Sequence, residues 1–263
     1  MSLVKQIWVY RGFILGAVKR EFQSKYRNSL LGVGWLVLQP LSQILVFTLV
    51  FSHVMQSRIP GLDGSFGYSI FLCAGLLTWS FFADLVGRCQ NMFLENSNLI
   101  KKISFPRICI PVIALLNACI NFVIILSLFV GFMLLVGSFP GWVLIFIIPV
   151  LLLQTILAIG LGMTIGVLNV FFRDTGHLFA IVLQFWFWLT PIVYPLQSLP
   201  EWTQKIVYLN PMTPLITAYQ GIMVQGQPPL WISLMPSCVF ACLSCFFGML
   251  LFKKRGSEMI DEL

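Results

Sequence analysis

Long apolar stretches separated by short charged segments constrain the fold of this chain more than any motif does. Six stretches are long enough to span a bilayer, because about 20 apolar helical residues cross about 30 Å of hydrocarbon. Only 10% of the 263 residues are charged, whereas a soluble domain carries about 25%. The sequence therefore predicts an all-α membrane protein with six transmembrane helices. The predicted spans are residues 30–55, 66–87, 108–136, 142–172, 178–196 and 230–252.

Basic residues predict the orientation of these spans. If the N-terminus is cytoplasmic, the cytoplasmic segments hold fourteen of the sixteen Lys and Arg residues, and the outer segments hold only Arg58 and Lys205. Such an excess on the cytoplasmic side is the general rule in membrane proteins. We therefore expect both termini in the cytoplasm. We attribute the formal charge of +7 to topology and anionic lipid headgroups rather than to nucleic-acid binding.

Residues 1–29 are predicted to form a helix that lies in the cytoplasmic membrane interface. Apolar side chains recur at helical spacing, while Lys5, Arg11 and Lys19 lie on other faces. A helix with this pattern lies along the membrane surface instead of crossing it, and a frayed tail is the alternative. The remaining residues, 30–263, are expected to form one six-span domain. The apolar stripe consists of Leu3, Ile7, Tyr10, Ile14, Val18 and Phe22.

Two segments outside the spans have patterns of their own. Residues 91–107 are polar, contain a short helix-like core and lie on the cytoplasmic side of the predicted topology. Residues 199–223 lie on the outer side, and Pro211 and Pro214 divide them into pieces too short to cross a membrane. Their pattern predicts a re-entrant or interfacial helical hairpin with Asn210 and Pro211 at its turn.

The sequence lacks the residues that catalysis or nucleotide binding would need. It has no Gly-Lys pair, so the phosphate-binding pattern G-x-x-x-x-G-K-[ST] is absent. The two histidines, His53 and His177, fall on opposite sides of the membrane, and the seven cysteines lie mostly in apolar runs without a neighbouring acid. Asp84 lies near the inner boundary, where it is better placed to pair with Arg88 than to relay protons. We expect no enzyme activity, no metal site and no cofactor in this chain, and an energy source in another polypeptide.

Adjacent Arg173 and Asp174 interrupt a long apolar region at the turn between the fourth and fifth predicted spans. One interpretation is that the two charges merely end helices in water, with Arg173 contributing to the orientation. The other is that this turn and residues 91–107 together dock a soluble motor subunit on the cytoplasmic side. The coupling candidates are Asn96, Ser97, Leu99, Lys101, Lys102, Arg107, Arg173 and Asp174.

Five segments together resemble the integral membrane permease of type-2 ABC exporters, specifically the polysaccharide-export branch with O-antigen, teichoic-acid and capsule transporters. Each segment alone is weak evidence for this family, but all five occur in the family's order over nearly the whole chain. They are KREFQSKYRNSLLGVGWLVLQPL (19–41), LIKKISFPR (99–107), FFRDTGHL (171–178), WLTPIVYP (188–195) and LNPMTPLITAYQ (209–220).

The resemblance implies a homodimer of six-span subunits in the bacterial inner membrane, bound to two copies of a separate ATPase. ATP and Mg²⁺ would bind to that ATPase, and the cargo would be a lipid-linked polysaccharide such as O-antigen. Residues 91–107 would be the coupling loop and residues 199–223 would close the outer mouth, with Asn210, Pro211 and Pro214 as the gate. An exporter of a drug or small lipid, or a proton-coupled flippase, is the alternative.

Aromatic and amide side chains recur every four residues on the first and fifth predicted spans. Sugar rings present C–H faces and hydroxyl groups, so aromatic faces and amides suit a sliding polysaccharide. Ordinary helix packing is the alternative explanation. The candidates for the translocation path are Trp35, Gln39, Gln43, Phe47, Phe51, Gln184 and Trp188.

Four cations near the end of the interfacial helix are candidates for contact with a phosphate group. Lysine and arginine side chains bind phosphate readily, which fits the diphosphate of a lipid carrier. The same residues can instead serve as orientation signals and anchors to bilayer lipid. They are Lys19, Arg20, Lys25 and Arg27.

Overall fold

The computed structural model describes residues 3–26, 32–54, 66–97, 101, 106, 108–256 and 258–262. Within these ranges the chain is helical and contains no β-strand, so the prediction of an all-α protein is confirmed. Short 3₁₀ turns precede α3, α6 and α10. The helices are α1 (Leu3–Val9), α2 (Arg11–Tyr26), α3 (Trp35–Val54), α4 (Gly67–Glu95), α5 (Cys109–Val136), α6 (Ile147–Phe171), α7 (Asp174–Trp188), α8 (Glu201–Tyr208), α9 (Met212–Gln220), α10 (Met235–Arg255) and α11 (Glu258–Glu262).

Four helical segments in the described ranges are long and apolar enough to cross a membrane. They correspond to the second, third, fourth and sixth predicted spans. The third of these segments includes the 3₁₀ turn before α6, and the last includes the turn before α10. The chain is therefore a multi-pass membrane protein. The four segments are Gly67–Glu95, Cys109–Val136, Gly141–Phe171 and Trp231–Arg255.

The first predicted span corresponds to α3, which has 20 residues with Pro40 inside the helix. The fifth predicted span, 178–196, differs more, because α7 has only 15 residues and ends at Trp188. That length corresponds to about 22 Å, which is less than the hydrocarbon thickness of about 30 Å. Pro191 explains the early end, since proline has no amide hydrogen and disfavours helix in the residue before it. The chain continues as a non-helical segment in which Thr190 and Ile192 are buried.

The longest helix, α4, lies at the centre of the bundle. It packs against α3, α5, α6, α7 and α9, and most of its residues are buried. Aromatic contacts connect it to helices on two sides: the Phe81 and Phe122 rings are 4.9 Å apart, and those of Trp79 and Phe187 are 5.7 Å apart. A helix buried around most of its circumference is typical of the core of a large protein or of a membrane bundle. The remaining helices are therefore positioned relative to α4.

Glycines allow α6 to pack tightly between α4 and α10. A Cβ atom added at Gly162 would lie 2.4 Å from the Cβ of Cys89, and one at Gly166 would lie 2.4 Å from the Cys89 carbonyl oxygen. On another face of α6, a Cβ at Gly160 would lie 2.4 Å from the backbone nitrogen of Cys245 in α10. Small residues let helix backbones approach closely in membranes, where van der Waals packing drives association. The three helices α4, α6 and α10 form the tightly packed part of the bundle.

We name the two ends of the bundle after the residues of α4 that lie there, the Gly67 end and the Glu95 end. Helix α2 contacts α4 at Arg88, and the start of α7 contacts α4 at Gln90, both towards the Glu95 end. The C-terminal helix α11 packs on α6. The non-helical segment after α7 contacts Tyr68 at the Gly67 end.

Candidate functional site

The predicted coupling residues that the structure describes lie at the Glu95 end. Asn96 follows the last residue of α4, and its side-chain Nδ2 donates to the carbonyl oxygen of Met92 at 2.8 Å. Arg173 and Asp174 are exposed in the turn between α6 and α7. Ser97 is half-buried and Lys101 is exposed. Leu99, Lys102 and Arg107 lie outside the described residues.

Hydrogen bonds of two amide side chains connect the α6–α7 turn to α4. The Nδ2 of Asn169 donates to the carbonyl oxygen of Gln90 at 3.2 Å, and the Nε2 of Gln90 donates to the carbonyl oxygen of Gly176 at 3.2 Å. The Oδ1 of Asn169 accepts from the Gly176 backbone N–H at 3.1 Å. A Cβ at Gly176 would lie 2.9 Å from both amide side chains, so a larger residue there would displace them. These contacts fix the turn that carries Arg173 and Asp174 relative to α4.

The amide contacts were not predicted from the sequence. Their only sequence signal is that Gln90 and Asn169 are polar residues in largely apolar helices. Asn169 is 3% exposed and therefore needs hydrogen-bond partners within the protein. Its partners depend on how α4 and α6 pack, so the local sequence does not indicate which residues they are.

The predicted pair of Asp84 and Arg88 is present within α4, and residues of two other helices extend it. The Nε of Arg88 lies 3.0 Å from Oδ1 of Asp84, and its Nη1 lies 2.6 Å from Oε1 of Glu21 in α2. Asn117 of α5 donates to the other carboxylate oxygen of Glu21. Glu21 was not predicted, although it is the only acidic residue before Asp63. The network joins α2, α4 and α5 through charge-assisted hydrogen bonds.

Part of the apolar stripe predicted for residues 1–29 faces the bundle. Ile14 and Val18 are buried, and α2 packs on α5. The helix is divided at Tyr10, between α1 and α2. Lys19 and Arg20, the first two candidate phosphate contacts, are exposed. Lys25 lies on α2 with its side chain outside the described part of the structure, and Arg27 lies outside the described residues altogether.

The candidate path residues whose side chains the structure describes are exposed on α3 and α7. On α3, Trp35 is 49% exposed, and Gln39 and Gln43 are also exposed. On α7, Trp188 is 63% exposed and Gln184 is exposed one turn earlier. Phe47 and Phe51 belong to α3, but their side chains lie outside the described part of the structure. Both stripes are therefore available for contacts beyond this single chain.

Asn210 fixes the turn between α8 and α9 inside the bundle. Its Oδ1 accepts from Nε1 of Trp186 at 2.7 Å and from the backbone N–H of Met212 at 3.0 Å. Its Nδ2 donates to Oγ1 of Thr190 at 2.9 Å. The adjacent Pro211 is buried, and its carbonyl oxygen accepts from the hydroxyl of Ser237 in α10 at 2.6 Å. The candidate gate residues therefore lie in a turn held by α7 and α10.

Pro214, the third candidate gate residue, is buried in α9, most of which packs on α4. The non-helical segment after α7 lies beside this helix. The Nε2 of Gln220 donates to the Pro191 carbonyl oxygen at 3.3 Å, and the hydroxyl of Tyr68 donates to the Val193 carbonyl oxygen at 2.7 Å. These side chains satisfy carbonyl groups of the non-helical segment itself, as irregular backbone within a membrane bundle requires.

Comparison with known proteins agrees with the resemblance of the five sequence segments. The model of the ABC-2 type transporter family matches residues 14–224. The O-antigen export system permease protein RfbA of Myxococcus xanthus is 30% identical over 266 residues, which is 100% of both chains. A protein of the same name from Klebsiella pneumoniae is 28% identical over 208 residues, 79% of this chain and 78% of its own. The polysialic acid transport protein KpsM of Escherichia coli is 22% identical over 244 residues, 92% of this chain and 93% of its own.

The family match covers the bundle from α2 to the segment that follows α9, and therefore includes both groups of contacts at the Glu95 end and the turn at Asn210. The resemblance identified from the sequence is confirmed at the level of the family. The chain belongs to the ABC-2 type transporter family.

Proposed function

We propose that this chain is the permease subunit of an ATP-driven exporter that moves a lipid-linked polysaccharide, and specifically O-antigen, across the inner membrane. The observation that carries the proposal is the similarity over 100% of the chain to a protein named as an O-antigen export permease. The relative named for polysialic acid transport supports the wider class of polysaccharide cargo.

The proposed topology has six spans with both termini in the cytoplasm and the Glu95 end on the cytoplasmic side. Four spans are the long apolar helices, and α3 and α7 with its non-helical continuation supply the other two. The described cations support this orientation. All except Lys205 belong to α1, α2, α4, residue 101, the α6–α7 turn or the end of α10, whereas Lys205 belongs to α8.

In this topology α8 and α9 form a re-entrant hairpin that enters from the outer side and closes the outer mouth. Support comes from Asn210, whose side chain ties the turn to α7 in the interior of the bundle. The burial of α9 also supports it, because an interfacial helix would leave one face exposed to water or headgroups. Asn210, Pro211 and Pro214 then form the rigid base of the gate.

Energy comes from two copies of a separate ATPase, which bind ATP and Mg²⁺ and dock at the Glu95 end of a permease homodimer. The lack of a phosphate-binding loop in this chain supports a separate motor. The fixed connection of the α6–α7 turn to α4 supports a common docking surface with the segment that follows Glu95, because a force applied to either reaches the same helix. The described residues of that surface are Asn96, Ser97, Lys101, Arg173 and Asp174.

The translocation path runs between the two permease copies and is lined by the stripes on α3 and α7. Exposed tryptophan and glutamine side chains on both helices support this assignment, since they offer apolar faces and hydrogen bonds to a sugar chain. The cations of α2, including Lys19 and Arg20, lie where the diphosphate of a lipid carrier would meet the cytoplasmic surface.

A deletion experiment tests the proposed cargo. Loss of this chain in its own cell should leave finished lipid-linked polysaccharide on the cytoplasmic side and remove it from the cell surface. Restoring the chain should return the polysaccharide to the surface only when the partner ATPase can hydrolyse ATP. Normal surface polysaccharide in the deletion strain would contradict the proposal.

A further inference from the structure

We infer that Glu21 is a positioning residue that makes the interfacial helix α2 move together with α4 during transport. This inference rests on the proposed function, because it concerns how motion imposed by the ATPase spreads through the permease. The pairing that carries it is a single carboxylate held at the same time by Arg88 of α4 and Asn117 of α5.

Both carboxylate oxygens of Glu21 are engaged, and by different helices. Oε1 lies 2.6 Å from Nη1 of Arg88, and Oε2 accepts from Nδ2 of Asn117. Arg88 is itself oriented by Asp84, one turn earlier on α4. An isolated exposed ion pair holds two helices weakly. Here several hydrogen bonds fix the arginine and the glutamate in one arrangement, which is a firmer connection than one pair provides.

Glu21 lies on the side of α2 that faces the bundle. It follows the buried Val18 by three residues and Ile14 by seven, so all three share one face of the helix. The apolar pair packs towards α5, and the carboxylate reaches α4 in addition. The carboxylate is thus a direct link from α2 to the central helix.

Arg88 also lies close to the proposed docking surface. Seven residues separate it from Glu95 on one continuous helix, a distance of about 10 Å. Between them, Gln90 holds the start of α7 through Gly176. A displacement of the segment after Glu95 or of the α6–α7 turn therefore also displaces α4 near Arg88. Because Glu21 is bound to Arg88, α2 is displaced with α4.

The first test breaks the charge link while preserving shape. We expect Glu21→Gln, in the complete complex with its ATPase, to assemble and hydrolyse ATP near the normal rate. Polysaccharide exported per ATP hydrolysed should fall about tenfold, within the range of coupling between contacting charged residues. Arg88→Gln should cause a similar loss, and the double variant should be no worse than Arg88→Gln alone. Additive losses, or an unchanged ratio of export to hydrolysis in Glu21→Gln, would overturn the inference.

Glu258→Gln is the matched control. It removes a second Arg–Glu pair, that of Arg255 and Glu258, whose side chains are 50% and 51% exposed. We expect its ratio of export to hydrolysis to remain normal. An equal loss in this variant would show that any missing cytoplasmic ion pair has the effect, which would overturn a specific role for Glu21.

A second test remains informative if Glu21→Gln does not assemble. In a permease whose seven native cysteines have been replaced, the double variant Glu21→Cys and Arg88→Cys allows a short thiol cross-linker to join α2 to α4. If the two helices move together, cross-linking should raise export above that of the unlinked double variant. Lower or unchanged export after cross-linking would overturn the inference. Absence of ATP-driven export by the unmodified complex would instead contradict the proposed function.

Discussion

Gly176 shows at the scale of one residue how the α6–α7 connection is held. It lies in the first turn of α7, and the side chains of Asn169 and Gln90 both approach its backbone. We expect Gly176→Ala to lower stability by about 1–3 kcal/mol, because the added methyl group must displace both amides. The change is measured as a lower Tm of the purified protein in detergent.

Gly131→Ala is the control for that prediction. Gly131 lies within α5, and a Cβ added there would meet nothing within 4 Å. Alanine favours helix over glycine by about 1 kcal/mol, so this variant should keep or raise the Tm. Equal changes in the two variants would mean that Gly176 has no special contact.

Asn210 is a second residue whose role depends on its partners. We expect Asn210→Ala to destabilise the protein by about 1–3 kcal/mol, because it leaves the indole N–H of Trp186 without its described acceptor and removes one of the two hydrogen bonds of the Thr190 hydroxyl. Thermal unfolding followed by tryptophan fluorescence measures the loss. Ser127→Ala, which removes an exposed hydroxyl bonded only to its own helix, should have little effect. A normal Tm for Asn210→Ala would contradict the assigned hydrogen bonds.

The sequence predicted the turn at Asn210 and the pairing of Asp84 with Arg88, because both signals are local. An Asn-Pro step favours a turn, and opposite charges four residues apart face each other on a helix. Glu21 and Asn169 were missed because their partners are 67 and 79 residues away in the sequence. No local pattern indicates which buried polar groups meet when helices pack.

At the scale of helices, the exposed stripes on α3 and α7 lead to a prediction about export. Trp35→Ala and Trp188→Ala should each lower polysaccharide export by up to about tenfold, because each removes a large aromatic face, and contacts between aromatic rings are worth about 0.5–1.5 kcal/mol. ATPase binding, measured by co-purification, should remain normal. Trp142→Ala, which changes a tryptophan that is 92% exposed at the start of another segment, is the control. Normal export by both variants would contradict the proposal that the stripes on α3 and α7 line the translocation path.

Helical periodicity predicted which residues form the apolar face of α2, and the length of the apolar stretches predicted the four long helices. Both features depend only on hydropathy within one segment. For the fifth predicted span, hydropathy indicated a helix that runs too far along the chain. The residues after Trp188 are as apolar as a span, so hydropathy continued the helix through them. Pro191 ends the helix, and side chains of Tyr68 and Gln220 then stabilise the irregular backbone.

At the scale of the whole complex, the docking surface at the Glu95 end can be tested by cross-linking. Ser97→Cys and Asp174→Cys, in a chain without its native cysteines, should each cross-link to the co-purified ATPase. Both positions should react because the contacts of Gln90 and Asn169 hold the α6–α7 turn beside the end of α4. Lys205→Cys, on α8, should not cross-link. Cross-linking of Lys205→Cys alone would contradict the proposed topology and indicate the opposite orientation.

The most direct measurement is transport by the purified permease reconstituted in vesicles, with and without its partner ATPase. We expect lipid-linked polysaccharide to cross the membrane only when permease, ATPase and ATP are all present, and a proton gradient should not replace ATP. Transport by the permease alone would contradict the claim that this chain is a conduit driven by a separate motor.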